Sequence, residues 1–202
     1  MKKIIAITLL MAMTISLHAQ NAATARKILD KTAAVISSKG GATANFTMTG
    51  TKTGTVNGSL AIKGRMFHAV TPQSIIWYNG KTQWTYLKAN EEVNVSTPNE
   101  AKQMSMNPYR FINMYQSGYN LSMTDKGKDY WVHLTAQNKQ RSVQEVYILI
   151  NKKNYHPSTI KMRHGNSWST ITVKNFKTGK LSNSLFTFNA KDYPHAEVVD
   201  LR

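Results

Sequence analysis

The chain has 202 residues, no cysteine, and 26 Lys and Arg against 10 Asp and Glu. Without cysteine, disulfide stapling, Cys-ligated zinc and thiol catalysis are excluded, and stability must come from an ordinary buried core. The basic balance points to anionic lipid head groups, cell-surface polysaccharide or an acidic protein surface, or serves solubility alone; no helix-turn-helix, RNP or zinc-finger pattern speaks for nucleic acid.

Residues 1–19 read as a signal peptide. Lys2 and Lys3 form a basic start, Ile4 to Leu17 is an apolar run with the wrong flanks for a stop-transfer helix, and Ala19 is a small residue suited to cleavage before Gln20. No cysteine follows the run, so a lipid anchor is not expected there. Without Lys2 and Lys3 the balance becomes 24 against 10, or +14. Residues 20–202 are one domain by length, expected to be soluble, exported and monomeric.

The first element of that domain is a helix over 21–38. Ala25, Ile28, Leu29, Thr32, Ala33 and Ile36 fall on one stripe at helical spacing, and Gly40-Gly41 stops it. The period then changes to two. Short strands are predicted at 44–50, 55–64, 66–70, 74–78, 83–87 and 92–96, punctuated by Gly, Asn and Pro. Between the fourth and fifth lies Asn79-Gly80-Lys81-Thr82. The Gly-Lys-Thr triplet is not a phosphate loop, because Ile75 stands where that motif needs glycine and a strand follows instead of a helix. Asn-Gly is instead the tip of a hairpin with aromatic arms, since both residues tolerate positive φ.

Residues 97–118 break the alternation. Asn107-Pro108 is a helix entry, Phe111, Ile112, Met114 and Tyr115 follow, and Gly118 is a candidate C-cap. Strands resume at 119–123, 130–135, 144–151, 158–164 and 168–175, with a last one at 185–188. About eleven strands, an N-terminal helix and a central helical insert make a mainly β chain with some α. One antiparallel sheet curled into an unclosed β-barrel fits that order.

Chemistry is sparse. His68, His133, His156, His164 and His195 show no metal-binding spacing, no G-x-S-x-G elbow exists, and Glu91-Glu92 would point to opposite faces of a strand. No enzyme activity, metal or cofactor is expected. The informative feature is apolar: Met48, Met66, Met104, Met106, Met114, Met123 and Met162 remain after cleavage, three of them in the insert. Flexible, polarizable methionine suits a surface that repacks around variable apolar ligands, and equally fills an ordinary core.

The order of motifs resembles the LolA-type periplasmic lipoprotein carriers. The likeness runs through ATANFTM (42–48), GSLAIKG and MF (58–67), TPQSIIWYNGKTQWTY (71–86), PYRFINMYQSGYNLSM (108–123) and LFTFNAKDYPHAEVVDLR (185–202). It implies an open barrel under a helical lid, with a cavity that shields the acyl chains of lipoproteins across the periplasm. Acylated lipoproteins, an inner-membrane ABC-type extractor and an outer-membrane acceptor are the implied partners. The cavity candidates are Phe46, Leu60, Ile62, Phe67, Ile76, Trp77, Trp84 and Tyr86. The lid candidates are Met104, Met106, Tyr109, Phe111, Ile112 and Met114. The family places a lid-latching Arg soon after the strand corresponding to LAIK; here Arg65 is the nearest, one residue early and without the usual proline. The alternatives are a lipid-sensing regulator on the same barrel, or a surface-adhesion protein binding polyanions.

Overall fold

A computed structural model describes residues 2–51, 54–98 and 114–202. Helix α1 spans Lys2–Ile36. The stripe read from the sequence is the face it buries: Ala25, Ile28, Leu29, Thr32 and Ile36 are buried and Ala33 is half-buried. Ser37 ends the helix, its backbone N–H and its hydroxyl both donating to the Ala33 carbonyl, at 2.8 and 2.6 Å. The glycine pair then serves a close approach. A Cβ on Gly40 would lie 2.1 Å from the Gly179 carbonyl oxygen, and Gly41 sits at φ 97°. The bare backbone here bonds to the C-terminal segment, with Gly179 N–H donating to Gly41 O and Leu181 N–H to Gly40 O.

The strands are β1 (Ala42–Gly50), β2 (Gly54–Lys63), β3 (Met66–Val70), β4 (Ser74–Tyr78), β5 (Gln83–Leu87), β6 (Glu92–Ser96), β7 (Tyr119–Lys126), β8 (Asp129–Ala136), β9 (Glu145–Asn151), β10 (Pro157–His164), β11 (Ser167–Thr178) and β12 (Glu197–Asp200). They form one twelve-stranded sheet in the order β12-β6-β5-β4-β3-β2-β1-β11-β10-β9-β8-β7. The sheet has two edges, β12 and β7, and does not close. Every pairing is antiparallel except that of β12, which runs parallel to β6. This is the mainly β, unclosed barrel with an N-terminal helix that the alternation predicts.

Two details differ from the sequence reading. Residues 185–188 are not a strand: Asn183–Phe186 form a 3-10 turn, with the Ser182 hydroxyl accepting from Ser184 N–H and Phe186 fully buried. The last strand is Glu197–Asp200 instead, and its partner β6 lies a hundred residues away, so no local signal marks it. The Asn-Gly hairpin is present between β4 and β5, with Asn79 to Thr82 in the loop that strands at 74–78 and 83–87 leave. Tyr78 pairs with Gln83. The Asn79 side-chain oxygen accepts from the N–H groups of Lys81 and Thr82, at 3.0 and 2.9 Å, and builds the loop itself.

The larger core lies between α1 and the β7–β10 half of the sheet. Ala25, Ile28 and Leu29 pack there with Tyr119, Leu121, Val132, Leu134, Val146, Ile150 and Met162. Two polar contacts fix the helix. Tyr115 donates its phenol to Asp30 at 2.6 Å, and burial pushes that phenol's pKa well above its ordinary value, with the Asp30 bond adding to the shift. Asn21 clamps the β7 edge: its amide N–H donates to Met123 O at 3.0 Å, and its oxygen accepts from Met123 N–H at 2.7 Å. An edge strand otherwise leaves such groups open to pairing with another chain. Replacing Asn21 with Ala is expected to cost about 1–2 kcal/mol in denaturant unfolding and to speed hydrogen exchange at the Met123 amide. Unchanged exchange there would show that the clamp does not hold the edge.

Candidate functional site

Directly paired residues of adjacent strands project to the same side of a sheet, and successive residues alternate. The register therefore sorts the cavity candidates by face. Ala44 pairs with Leu60 and Phe46 with Gly58. Leu60 pairs with Ala69 and Ile62 with Phe67. Ala69 pairs with Ile76 and Phe67 with Tyr78. Phe46, Leu60, Ile62, Phe67 and Ile76 thus share one face. Ile36 of α1 packs on it against Ile62, Phe67 and Tyr78, which marks it as the inner, helix-bearing face.

The inner face is unevenly covered. Ile62 and Phe67 are buried under the end of α1. Phe46, Leu60 and Ile76 are only half-buried, as are Met48 and Val173 on the same side. An apolar strip thus runs from β11 across β1 to β4, outside the part of the sheet that α1 packs on most closely. Beyond β4 the inner positions turn polar, with Gln83, Thr85 and Asn94 across β5 and β6. Gly58 belongs to this surface: a Cβ there would lie 2.5 Å from the Phe46 ring, so its absence lets the ring lie flat across β2. One buried polar atom faces this side without a partner among the described residues, the Thr32 hydroxyl on α1.

Trp77, Trp84 and Tyr86 are on the opposite face. Trp77 pairs with Trp84 and with His68, and Tyr86 with Val93. Residues of the C-terminal segment pack on two of them: Phe188 and Tyr193 each meet the Trp77 ring edge-on at 5.5 Å, and Tyr193 lies 4.7 Å from Tyr86. The eight candidates therefore do not line one surface: five lie on the helix-bearing face and three on the opposite one, where Trp77 is buried and Trp84 and Tyr86 are half-buried.

Of the lid candidates, Met104, Met106, Tyr109, Phe111 and Ile112 lie outside the described residues. Met114 opens a 3-10 turn, Met114–Gln116, and is half-buried against the larger core. Arg65 occupies the two-residue turn between β2 and β3, where Gly64 takes φ 56°. It is exposed and makes no hydrogen bond or ion pair with a described residue. Among the described residues no group of three or more His, Asp or Glu could hold a metal ion.

His68 and His133 sit on the outer face of the sheet, opposite the face that α1 packs on. His68 stacks on Trp77 at 5.5 Å, and burial holds its imidazole below the ordinary value. Burial also lowers His133, against an opposing pull from Glu145, and lowers His156. His133 lies flat on Tyr147 at 4.1 Å.

Comparison with known proteins now bears on this geometry. The profile of the family described as outer membrane lipoprotein carrier protein LolA matches residues 15–166. The chain belongs to this LolA family. No curated protein matches the sequence. Among solved structures, an uncharacterised conserved protein of Thermus thermophilus superposes with a TM-score of 0.60 at 15% identity, over 88% of this chain and 99% of that one. MucB superposes with a TM-score of 0.50 at 10% identity, over 83% of this chain and 64% of its own. A domain of Vibrio parahaemolyticus described as an outer membrane lipoprotein-sorting protein gives 0.47 at 12% identity, over 83% and 97%. At these identities the likeness is one of fold. The LolA assignment brings a lipoprotein-carrier class of function at the family level.

Two measurements separate the faces. Trp77→Ala is expected to lower stability by about 3–5 kcal/mol, whereas Ile76→Glu should leave circular dichroism native and abolish uptake of an acyl probe. The reverse pattern would mean that the outer face is the binding surface. The second concerns pH. His68, His133 and His156 have folded pKa values below their unfolded value of about 6.5, so the unfolded chain binds more protons as pH falls through that value. Their neutral burial stabilises fully above pH 6.5 and is lost on acidification. The denaturation midpoint should fall between pH 7 and 5, and less steeply in His68→Gln; an identical slope in the variant would remove His68 from the account.

Proposed function

We propose that this protein is a periplasmic carrier that takes the acyl chains of lipoproteins onto the inner face of its sheet and shuttles them from the inner to the outer membrane. The observation that carries the reading is the strip of Phe46, Met48, Leu60, Ile76 and Val173, half-buried on the helix-bearing face of the sheet, while Phe188 and Tyr193 of the tail pack on Trp77 and Tyr86 of the other face. Such a surface gains from an apolar guest, at about 0.8 kcal/mol for each methylene removed from water. Nothing in that mechanism needs bond chemistry, and the protein acts as a binding protein, not an enzyme.

Uptake driven by burial makes release the difficult step. An inner-membrane ABC-type extractor would load the strip, and an outer-membrane acceptor would empty it by offering the chains a better apolar surface. The apolar start of the sequence, Ile4 to Leu17 after Lys2 and Lys3, supports export to the compartment where this transfer takes place.

Mass spectrometry of protein purified from a native envelope should show diacylated or triacylated polypeptide bound to it. A neutral fluorescent acylglycerol should bind the purified protein and be displaced by that cargo. A protein that carries no acylated species and does not take up the probe would refute the carrier reading.

A further inference from the structure

Among the described residues, four cations and no carboxylate line an open pocket of about 780 Å³ at one end of the sheet. They come from three separate stretches of chain: Lys39 after α1, Lys63 and Arg65 at the β2–β3 hairpin, and Lys81 in the β4–β5 loop. Like charges gathered in one concavity repel one another, and the potential they create attracts an anion. No described acid neutralises them. Lys39, Arg65 and the Lys81 side chain make no hydrogen bond or ion pair with a described residue, although ion pairs hold Lys152 to Asp125 and Arg163 to Glu145 elsewhere on the surface.

Lys63 differs from the other three in being held. Its ammonium donates to Leu181 O at 2.7 Å and to the Asn183 side-chain oxygen at 2.8 Å, which anchors the C-terminal segment to the rim. An ammonium has three protons, so one remains for a ligand. Asn79 and Asn183 add amide groups to the lining. The Asn79 oxygen is occupied by the loop, leaving its NH₂ as a donor.

The position of the pocket narrows the ligand. Lys63 pairs with Met66 one residue beyond Ile62 and Phe67, so both project to the face opposite the buried cluster, toward the C-terminal segment that Lys63 holds. Ser37, directly after Ile36, brings the lining to the end of α1. Four unneutralised cations in an open concavity at the sheet's end match a phosphate presented at an anionic membrane surface. We propose that this pocket binds the phosphate of an anionic phospholipid head group, with Lys39, Arg65 and Lys81 as the movable donors around a fixed Lys63. The proposal stands on the four cations and not on the carrier reading. It also gives Arg65 a role in its exposed turn that requires no contact with a lid.

The test is flotation of the purified full-length mature protein with vesicles of phosphatidylcholine alone and of phosphatidylcholine mixed with phosphatidylglycerol. Wild type should bind the anionic vesicles and not the zwitterionic ones. Replacing Lys39, Arg65 and Lys81 together by Gln should weaken that binding about a hundredfold, at roughly a factor of five for each cation near an anionic surface. A control triple at exposed sites toward the opposite end of the sheet, Lys88→Gln, Lys139→Gln and Lys161→Gln, removes the same charge and should change it by less than about threefold. Equal loss in both triples would assign the effect to net charge and overturn the pocket. Inorganic phosphate is the competing source of the same chemistry. Tight binding of phosphate by wild type, with no binding to anionic vesicles, would overturn the head-group assignment. The neutral acylglycerol probe separates this result from the carrier reading: it should bind the pocket triple as it binds wild type. A wild type that binds anionic vesicles but not the probe would leave the pocket standing and remove the carrier.

Discussion

Side chains along a strand alternate between two faces, so a strand that is apolar at every position must be covered twice. Ser74–Tyr78 is such a strand from Ile75 onward. Ile76 and Tyr78 look toward α1, while Trp77 looks away from it. The rest of the molecule can be read as the answer to that constraint. On the outer face of β3–β6, Phe188 and Tyr193 of the C-terminal segment pack on Trp77 and Tyr86. The inner face of β7–β10 is covered by α1. On the inner face of β11 and β1–β4, Phe46, Met48, Leu60, Ile76 and Val173 stay half-buried.

The two covers are not independent. Gly40 and Gly41 join the end of α1 to the backbone at Gly179 and Leu181, and Lys63 ties Leu181 and Asn183 to the end of β2. Helix, rim and tail therefore meet in one corner, beside the buried cluster of Ile36, Ile62, Phe67 and Tyr78. The pocket's cations gather at this corner too. The apolar cluster lies on the inner side of this corner, while Lys63 and Met66 of the pocket project to the other side, toward the tail.

Much of this was legible from the residues. The helical stripe Ala25 to Ile36 buries the positions its period names, and the strands follow the two-residue alternation closely, because local pattern dictates which face a side chain takes. The division of the cavity candidates was also written in the sequence. Ile75, Ile76, Trp77 and Tyr78 form an unbroken apolar run, which signals burial on both faces and not a single greasy one. Grouping Trp77, Trp84 and Tyr86 with Ile76 overlooked the one-residue flip. The missing cover, Phe186, Phe188 and Tyr193, lies a hundred residues from the surface it protects, and a 3-10 turn interrupts the alternation that made 185–188 look like a strand. β12 was invisible for the same reason: its register is set entirely by β6. Met48 entered only as one of seven methionines and Val173 not at all, because a half-buried inner residue on β1 or β11 has the same local pattern as a fully buried one. Arg65 could be placed in its turn from the sequence, but its gathering with Lys39, Lys63 and Lys81 depends on three hairpin and helix ends meeting, which no spacing records.

The central claim is that the face beneath α1 receives acyl chains while Trp77 and Tyr86 on the opposite face pack against the protein's own tail. The most direct measurement is photolabelling with a neutral diacylglycerol carrying a diazirine in its acyl chain, followed by mass spectrometry that locates adducts to single residues. Adducts at Phe46, Met48, Leu60 and Ile76, with Trp77, Trp84 and Tyr86 unlabelled, are the predicted result. Labelling of Trp77, Trp84, Tyr86 or the tail aromatics in preference to the inner strip would contradict it.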